Sequence, residues 1–290
     1  MRWWKIEVQC SPEQEESVFY RLDEFGCRGT ATEVQGETLW VRGYLPQEET
    51  AVAELEALAQ RLRKDAAELW RSPLIDWDSL DEEDWANSWK QDWQPTPVGD
   101  RFLVCPAWLS PAPDEQRTVI RLDPGAAFGT GTHPTTQLCL AALASCLNEA
   151  PLLADIGCGS GILSIGALLL GAQRVYAVDL DPLAVSATAN NRQLNHLEET
   201  RLLVEQGSIE KIAEKVDGVM CNILAPVIVQ LIPQLSRITK PHSWGLLSGI
   251  LGRQVNDVAA VLQQHRWTIA QHWQQQEWSC LKIVQNLNKD

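Results

Sequence analysis

The sequence predicts an α/β protein with two domains: a doubly wound, mainly parallel sheet and, before it, a smaller α+β domain. Three observations lead to this prediction. An apolar stretch at 152–156 runs into a glycine-rich turn at 157–161. A second apolar stretch, 174–179, ends on Asp179, which lies 22 positions after Gly157. Beyond that point strand patterns alternate with helix patterns, which is typical of a parallel sheet.

The first 78 residues predict a ferredoxin-like unit with the element order βαββαβ. Apolar residues at every second position predict its strands, and a spacing of three and four predicts its helices. Ser11 and Pro12 are typical of a helix start, and Gly26 is typical of a helix end. The predicted strands are 2–10, 28–34, 38–44 and 73–78, and the predicted helices are 12–25 and 47–70. No catalytic constellation is evident here, so we interpret this domain as a module for recognising the substrate.

Residues 79–97 are predicted to form a linker helix and hinge between the two domains. Ser79 is typical of an N-cap, and the acidic residues after it suit the first turn of a helix. Three tryptophans then follow at helical spacing: Trp85, Trp89 and Trp93. This spacing places them in one stripe, which we interpret as packing against a domain rather than as an aromatic ligand site.

The second domain is predicted to span 98–290 and to contain the large sheet. Its predicted strands are 152–156, 174–179, 201–206, 217–222 and 244–249, and its predicted helices are 133–148, 161–170, 182–195, 225–239 and 253–265. The last two predicted strands, 267–272 and 278–286, have no helix between them. We therefore expect an antiparallel edge on an otherwise parallel sheet.

The glycine turn favours a nucleotide-type cofactor other than a dinucleotide. The dinucleotide fingerprint needs a third glycine at position 162, which is Ile162 here, and Gly159 belongs to a shorter G-x-G-x-G pattern. Asp155 would repel a pyrophosphate and would favour an ammonium and a sulfonium group. Asp179 can accept hydrogen bonds from both hydroxyls of a ribose. These residues favour S-adenosylmethionine; the alternatives are NAD and a tight turn without a ligand.

A glycine-rich loop at 123–136 precedes the turn and predicts a mobile segment followed by a helix that begins at Pro134. We expect Thr136 to offer its hydroxyl to the methionine end of the cofactor and Phe128 to cover it as a lid. His133 is expected to be a capping or structural residue rather than a general base. An ordinary linker with an N-cap is the alternative interpretation.

Asn222 is expected at the carboxyl end of a strand, where functional residues of open α/β sheets gather. Its side-chain carbonyl can accept a hydrogen bond from an attacking amine and aim the lone pair of the nitrogen. The tetrad 222–225, Asn-Ile-Leu-Ala, contains no aromatic residue to stack on a flat substrate, so an aliphatic amine is favoured. A simple turn residue at the end of a strand is the alternative.

The net charge of −14 argues against unassisted binding of nucleic acid, because phosphate contacts require lysine and arginine. The eight cysteines form no C-x-x-C pair, which indicates reduced thiols rather than a zinc site or a disulfide framework. Cys158 and Cys221 are interpreted as packing residues. No apolar run is long enough to span a bilayer, and no signal peptide is evident. We expect a cytoplasmic monomer that uses no metal.

Several motifs occur in this order: the linker segment 83–90, the loop 123–136, the turn 155–163, the tetrad 222–225 and Leu-Ser-Gly-Ile-Leu at 247–251. Together they resemble the ribosomal protein L11 methyltransferase family, PrmA. The resemblance covers essentially the whole chain and is weakest over residues 1–75.

This resemblance implies a Rossmann-like, seven-stranded class I methyltransferase domain that uses S-adenosylmethionine, with a small N-terminal domain that grips the substrate. It implies methylation of the N-terminal α-amine and of lysine side chains in large-subunit ribosomal protein L11. Cofactor contacts of the family fall at the positions of Thr136, Gly157, Asp179 and Asn222. The alternatives are methylation of another protein, of RNA or of a small amine, an NAD-dependent oxidoreductase, and a binding protein without turnover.

Overall fold

The computed structural model describes residues 2–11, 14–27, 30–35, 38–66, 73–81, 93–123, 129, 131–147 and 151–286. Contacts between residues divide the chain into two compact units, residues 1–93 and residues 94–290. Within the described ranges, no helix combines the length and the apolar character needed to cross a membrane.

The first unit contains a four-stranded antiparallel sheet with two helices packed on one face. Its strands are β1 (Arg2–Cys10), β2 (Thr30–Gln35), β3 (Thr38–Pro46) and β4 (Leu74–Asp81), in the order β2-β3-β1-β4, and its helices are α1 (Glu15–Glu24) and α2 (Val52–Ala66). Alternate residues of β1, such as Ile6 and Val8, are buried with Leu22 of α1 and Leu55 of α2. This order of elements confirms the predicted ferredoxin-like fold.

The start of α1 differs from the prediction. The helix begins at Glu15, because Ser11 and Gln14 first form a turn of their own. The backbone N–H of Ser11 donates to Oε1 of Gln14 at 3.0 Å, and the backbone N–H of Gln14 donates to the carbonyl of Ser11 at 2.9 Å. Pro12 lies outside the described residues. At the other end, Gly26 has a φ of +98°, which fits the predicted helix end.

The prediction of a helix N-cap at Ser79 is wrong. Strand β4 continues to Asp81, and Ser79 pairs with Trp4 of β1. The period-two pairing therefore outweighs the local capping preference of serine. Most of the predicted linker helix, 82–92, lies outside the described residues together with Trp85 and Trp89. Trp93 is described and has no regular secondary structure.

The second unit contains a seven-stranded mixed sheet in the order β10-β9-β8-β11-β12-β14-β13. Its strands are β8 (Leu152–Ile156), β9 (Arg174–Asp179), β10 (Leu202–Gln206), β11 (Val216–Asn222), β12 (Thr239–Leu251), β13 (Trp267–Gln275) and β14 (Trp278–Gln285). Its helices are α3 (Pro134–Cys146), α4 (Ile162–Leu169), α5 (Pro182–Leu194), α6 (Ala225–Ile238) and α7 (Val255–Gln264). All pairs in this sheet are parallel except the two that involve β14, which runs antiparallel to β12 and to β13. The predicted antiparallel pairing of the last two strands at this edge is thus confirmed.

A third, three-stranded sheet was not predicted from the sequence. It consists of β5 (Thr96–Val98), β6 (Phe102–Pro106) and β7 (Thr118–Leu122). Its apolar side chains join a core with α3 and α4 on one face of the large sheet, and α6 and α7 form a second core on the other face. Both faces of the central strands are thus buried, so the free carboxyl ends of β8, β9 and β11 are where polar side chains meet.

Candidate active site

The glycine turn joins β8 to α4 at the carboxyl edge of the sheet. Gly157, Gly159 and Gly161 have positive φ angles of 75°, 55° and 79°, which residues with side chains rarely adopt. The backbone N–H of Gly157 donates to the carbonyl of Val178 near the end of β9, at 2.8 Å. The turn is therefore fixed against the neighbouring strand in a shape that requires glycine.

Asp179, the last residue of β9, is held by two backbone groups. The N–H of Gly159 donates to Oδ2 at 2.9 Å, and the N–H of Asp181 donates to Oδ1 at 3.0 Å. A carboxylate has about four acceptor positions, so each oxygen keeps one for a ligand. This carboxylate fits the two neighbouring hydroxyls of a ribose, and its orientation is set in advance by the turn.

Asp155, near the end of β8, is buried and faces α4. Its Oδ2 accepts from the backbone N–H of Ser164 at 3.1 Å and from the Ser164 hydroxyl at 2.6 Å. Desolvation raises the pKa of Asp155 to about 6; the bonds from Ser164 oppose the rise, and the charge of Asp179 adds to it. A nearby cation would stabilise the ionised carboxylate, which suits an ammonium or sulfonium group better than a pyrophosphate. Direct contact between Asp155 and a cofactor stays a prediction.

The described ends of the glycine-rich loop are tied to the glycine turn. The hydroxyl of Ser160 donates to the carbonyl of Gly129 at 2.6 Å, and Gly129 itself has a φ of +101°. His133 caps α3 as predicted, since its Nδ1 accepts from the backbone N–H of Thr135 at 3.3 Å. Burial lowers the pKa of His133. Phe128, the predicted lid, lies outside the described residues.

Thr136 and Asn222 meet although 86 positions separate them in the chain. The Nδ2 group of Asn222 donates to Oγ1 of Thr136 at 3.4 Å. The other end of the same amide, Oδ1, is buried and accepts no hydrogen bond from any described residue. An unsatisfied buried acceptor costs about 1–3 kcal/mol, so this carbonyl is prepared to receive a donor from a ligand.

Two residues that support the site were missed by sequence analysis. Asn191 of α5 donates to the carbonyl of Ser160 at 2.9 Å and accepts from the backbone N–H of Asp123 at 2.8 Å, so it ties the loop to the turn. Ser164 binds Asp155 as described above. Neither residue belongs to a local motif, and only the fold brings each of them to its partner.

The two thiols within the motifs fit the packing role expected from the sequence. Cys158 and Cys221 are both buried, and burial raises the pKa of each thiol well above its usual value. A thiol held in its neutral form is a weak nucleophile.

Comparison with known proteins gives consistent results. The family model described as ribosomal protein L11 methyltransferase (PrmA) matches residues 2–286. A ribosomal protein L11 methyltransferase of Thermosynechococcus vestitus is 50% identical over 287 residues, which cover 97% of this chain and 96% of that protein. One from Synechococcus elongatus is 46% identical over 283 residues, covering 95% and 94%. The chain belongs to this family.

A solved structure agrees with this assignment. The crystal structure of a ribosomal protein L11 methylase from Lactobacillus delbrueckii subsp. bulgaricus has a TM-score of 0.63 and 30% identity. The match covers 67% of this chain and 100% of that chain. The family expected from the motifs and the Rossmann-like fold class are thus confirmed. The chain is a protein methyltransferase that uses S-adenosylmethionine.

Proposed function

We propose that this protein transfers methyl groups from S-adenosylmethionine to the N-terminal α-amine and the lysine ε-amines of ribosomal protein L11. The observation that carries the proposal is the buried, unsatisfied carbonyl of Asn222, which lies beside Thr136 at the carboxyl edge of the sheet. We infer the substrate, ribosomal protein L11, from the names of the family and of its relatives.

Several residues would hold the cofactor. When bound, S-adenosylmethionine supplies an electrophilic methyl group on a cationic sulfur. We propose that Asp179 binds the ribose hydroxyls and that Thr136 binds the methionine end of the cofactor. Gly157 and Gly159 would let the cofactor approach the backbone closely. The buried charge of Asp155 favours a cationic ligand, and Phe128 is assigned as a cover.

The amine must reach the site as a neutral nucleophile. An α-amine with a pKa of about 7.7–8.0 loses its proton at pH 7 for about 1 kcal/mol, so release to water before docking is sufficient. A lysine amine, with a pKa of about 10.4, costs roughly 4–5 kcal/mol, and a neighbouring cation lowers this cost by disfavouring the ammonium form. Oδ1 of Asn222 then accepts an N–H of the amine and aims its lone pair, which is a contribution of proximity and orientation.

The substrate protein would be gripped outside this site. We propose the first unit as the recognition domain and the second unit as the catalytic domain. Because β4 extends to Asp81 and β5 begins at Thr96, we place the connection at 82–95 instead of 79–97. The acidic net charge of −14 suits a lysine-bearing protein and disfavours direct binding of nucleic acid. We further propose that the enzyme acts in the cytoplasm as a monomer.

Mass spectrometry of purified ribosomal protein L11 after incubation with the enzyme and S-adenosylmethionine tests the proposal. The expected result is a mass gain of one CH2 per methyl group, located at the N-terminus or at lysines. Asn222→Ala should lower turnover about tenfold to a hundredfold, because the amine loses its orientation. The matched control is Asn256→Ala, an exposed position on α7.

Two results would contradict the proposal. Wild-type turnover by Asn222→Ala would remove the role of Asn222. If L11 gains no mass while calorimetry shows that the enzyme binds the cofactor, the substrate is a different molecule. Parallel reactions with ribosomal RNA and with free lysine would then show whether RNA or a small amine is methylated instead.

A further inference from the structure

Ile223 directly follows Asn222 and fills a space that the glycine turn leaves open. A Cβ atom on Gly157 would lie 2.3 Å from Cγ2 of Ile223, closer than real Cβ contacts come. The γ-methyl group of Ile223 therefore occupies the place that a side chain at Gly157 would need. Ile223 is partly buried and packs at the border of the core that contains α6.

Gly249 of β12 lies against the main chain of the same residue. Its φ is +81°, and a Cβ atom there would lie 2.2 Å from the carbonyl oxygen of Ile223. The register between β12 and β14 shifts across 247–250, so the strand is irregular at this point. Two glycines thus pack closely against Ile223, Gly157 at its side chain and Gly249 at its main-chain carbonyl.

We infer that Ile223 is a positioning residue for methyl transfer. Its γ-methyl group packs against Gly157 and thereby sets where the side-chain carbonyl of Asn222 lies relative to the glycine turn. This inference rests on the proposed function. Asn222 is the last residue of β11, and the next residue, Ile223, packs against the glycine turn. This contact fixes the chain directly after Asn222. An orienting group is sensitive to small displacements, since a shift of about 1 Å can cost a hundredfold in rate.

For positioning Asn222, the branched shape of isoleucine matters more than its volume. A β-branched side chain has a restricted χ1, so its γ-methyl group stays in one place. Valine keeps that branch and loses only the terminal methyl. Leucine keeps the number of carbon atoms but has no methyl on its Cβ. The pair Ile223→Val and Ile223→Leu therefore separates shape from hydrophobic volume.

The experiment measures kcat, KM for ribosomal protein L11 and the cofactor dissociation constant for both variants. Each variant is made in the wild-type background and in Asn222→Ala. We expect Ile223→Val within about twofold of wild type and Ile223→Leu about tenfold lower in kcat, with KM little changed. In Asn222→Ala, Ile223→Leu should change kcat by less than about twofold, because the group that it displaces is absent. Ile232→Leu, a fully buried position in the same core, is the control for packing.

The outcomes separate this inference from the proposed function. If Asn222→Ala is impaired and Ile223→Leu lowers kcat by the same factor in both backgrounds, Ile223 does not act through Asn222 and the inference fails alone. Equal losses in Ile223→Val and Ile223→Leu also overturn it. Wild-type turnover by Asn222→Ala overturns the proposed role of Asn222 and this inference with it. If Ile223→Leu does not fold, Ile223→Met, which also lacks a branch at Cβ at similar volume, replaces it in the same cycle.

Discussion

Replacing Asp179 with asparagine tests the assignment of the cofactor site most directly. In the wild type, Oδ2 accepts from the N–H of Gly159 and Oδ1 accepts from the N–H of Asp181. Asparagine offers one acceptor oxygen and one NH2 group. In either orientation, that NH2 group faces a backbone donor, and one of the two positions proposed for a ribose hydroxyl is lost.

The magnitude follows from the bonds that are lost. A hydrogen bond to a charged group contributes about 1.5–3 kcal/mol. Loss of one such bond to the ribose corresponds to a dissociation constant about ten to 150 times higher. The backbone N–H that faces the new NH2 group, of Gly159 or of Asp181, adds a smaller loss because it no longer has an acceptor.

Isothermal titration of S-adenosylmethionine into both proteins measures this difference, and thermal unfolding reports whether the turn is intact. Asp181→Asn is the matched control. It removes the same charge two residues away, at the N-cap of α5, where Asp181 accepts from Leu183 and asparagine caps equally well. We expect its cofactor affinity to stay within about twofold of wild type. Wild-type affinity in Asp179→Asn would refute the ribose assignment.

Two further predictions concern Asp155 and Thr136. Because burial raises the folded pKa of Asp155 to about 6 from 3.8, the protein loses stability as the pH rises through about 6. Asp155→Asn keeps an acceptor for Ser164, so its free energy of unfolding in urea should exceed that of wild type by up to about 3 kcal/mol at pH 8 and by little at pH 4; equal differences at both pH values would contradict this. Thr136→Val preserves shape but leaves Nδ2 of Asn222 without its acceptor, and should lower kcat about tenfold while Thr136→Ser restores it. Equal rates for the valine and serine variants would show that the hydroxyl is not used.

The sequence predicted the parts of the site whose chemistry is local. The turn at 157–161 has positive φ angles, which glycine adopts readily, so the glycine-rich pattern predicts the turn. Asp179 follows an apolar strand at the spacing of a βαβ unit. Both signals lie within a short window, so apolar periodicity and residue type are sufficient to place them.

Other features depend on contacts between distant segments. Asn222 and Thr136 were each expected near a ligand, but nothing in the sequence shows that they bind each other across 86 positions. Asn191 has no motif, and its contact with Ser160 exists only because α5 packs beside the turn. Ser79 illustrates the opposite error, in which a local capping preference yields to pairing with a neighbouring strand.

The unsatisfied carbonyl of Asn222 connects stability with activity in this fold. A buried acceptor without a donor destabilises the protein by about 1–3 kcal/mol, and an apolar residue at this position would avoid that cost. The surrounding geometry nevertheless keeps the amide in place, through Thr136 at its nitrogen and through Ile223 at the next peptide. In the proposed reaction the N–H of the substrate amine donates to this carbonyl. A buried carbonyl in this place therefore favours a substrate nitrogen that can donate a hydrogen bond and still keep a lone pair for the methyl group.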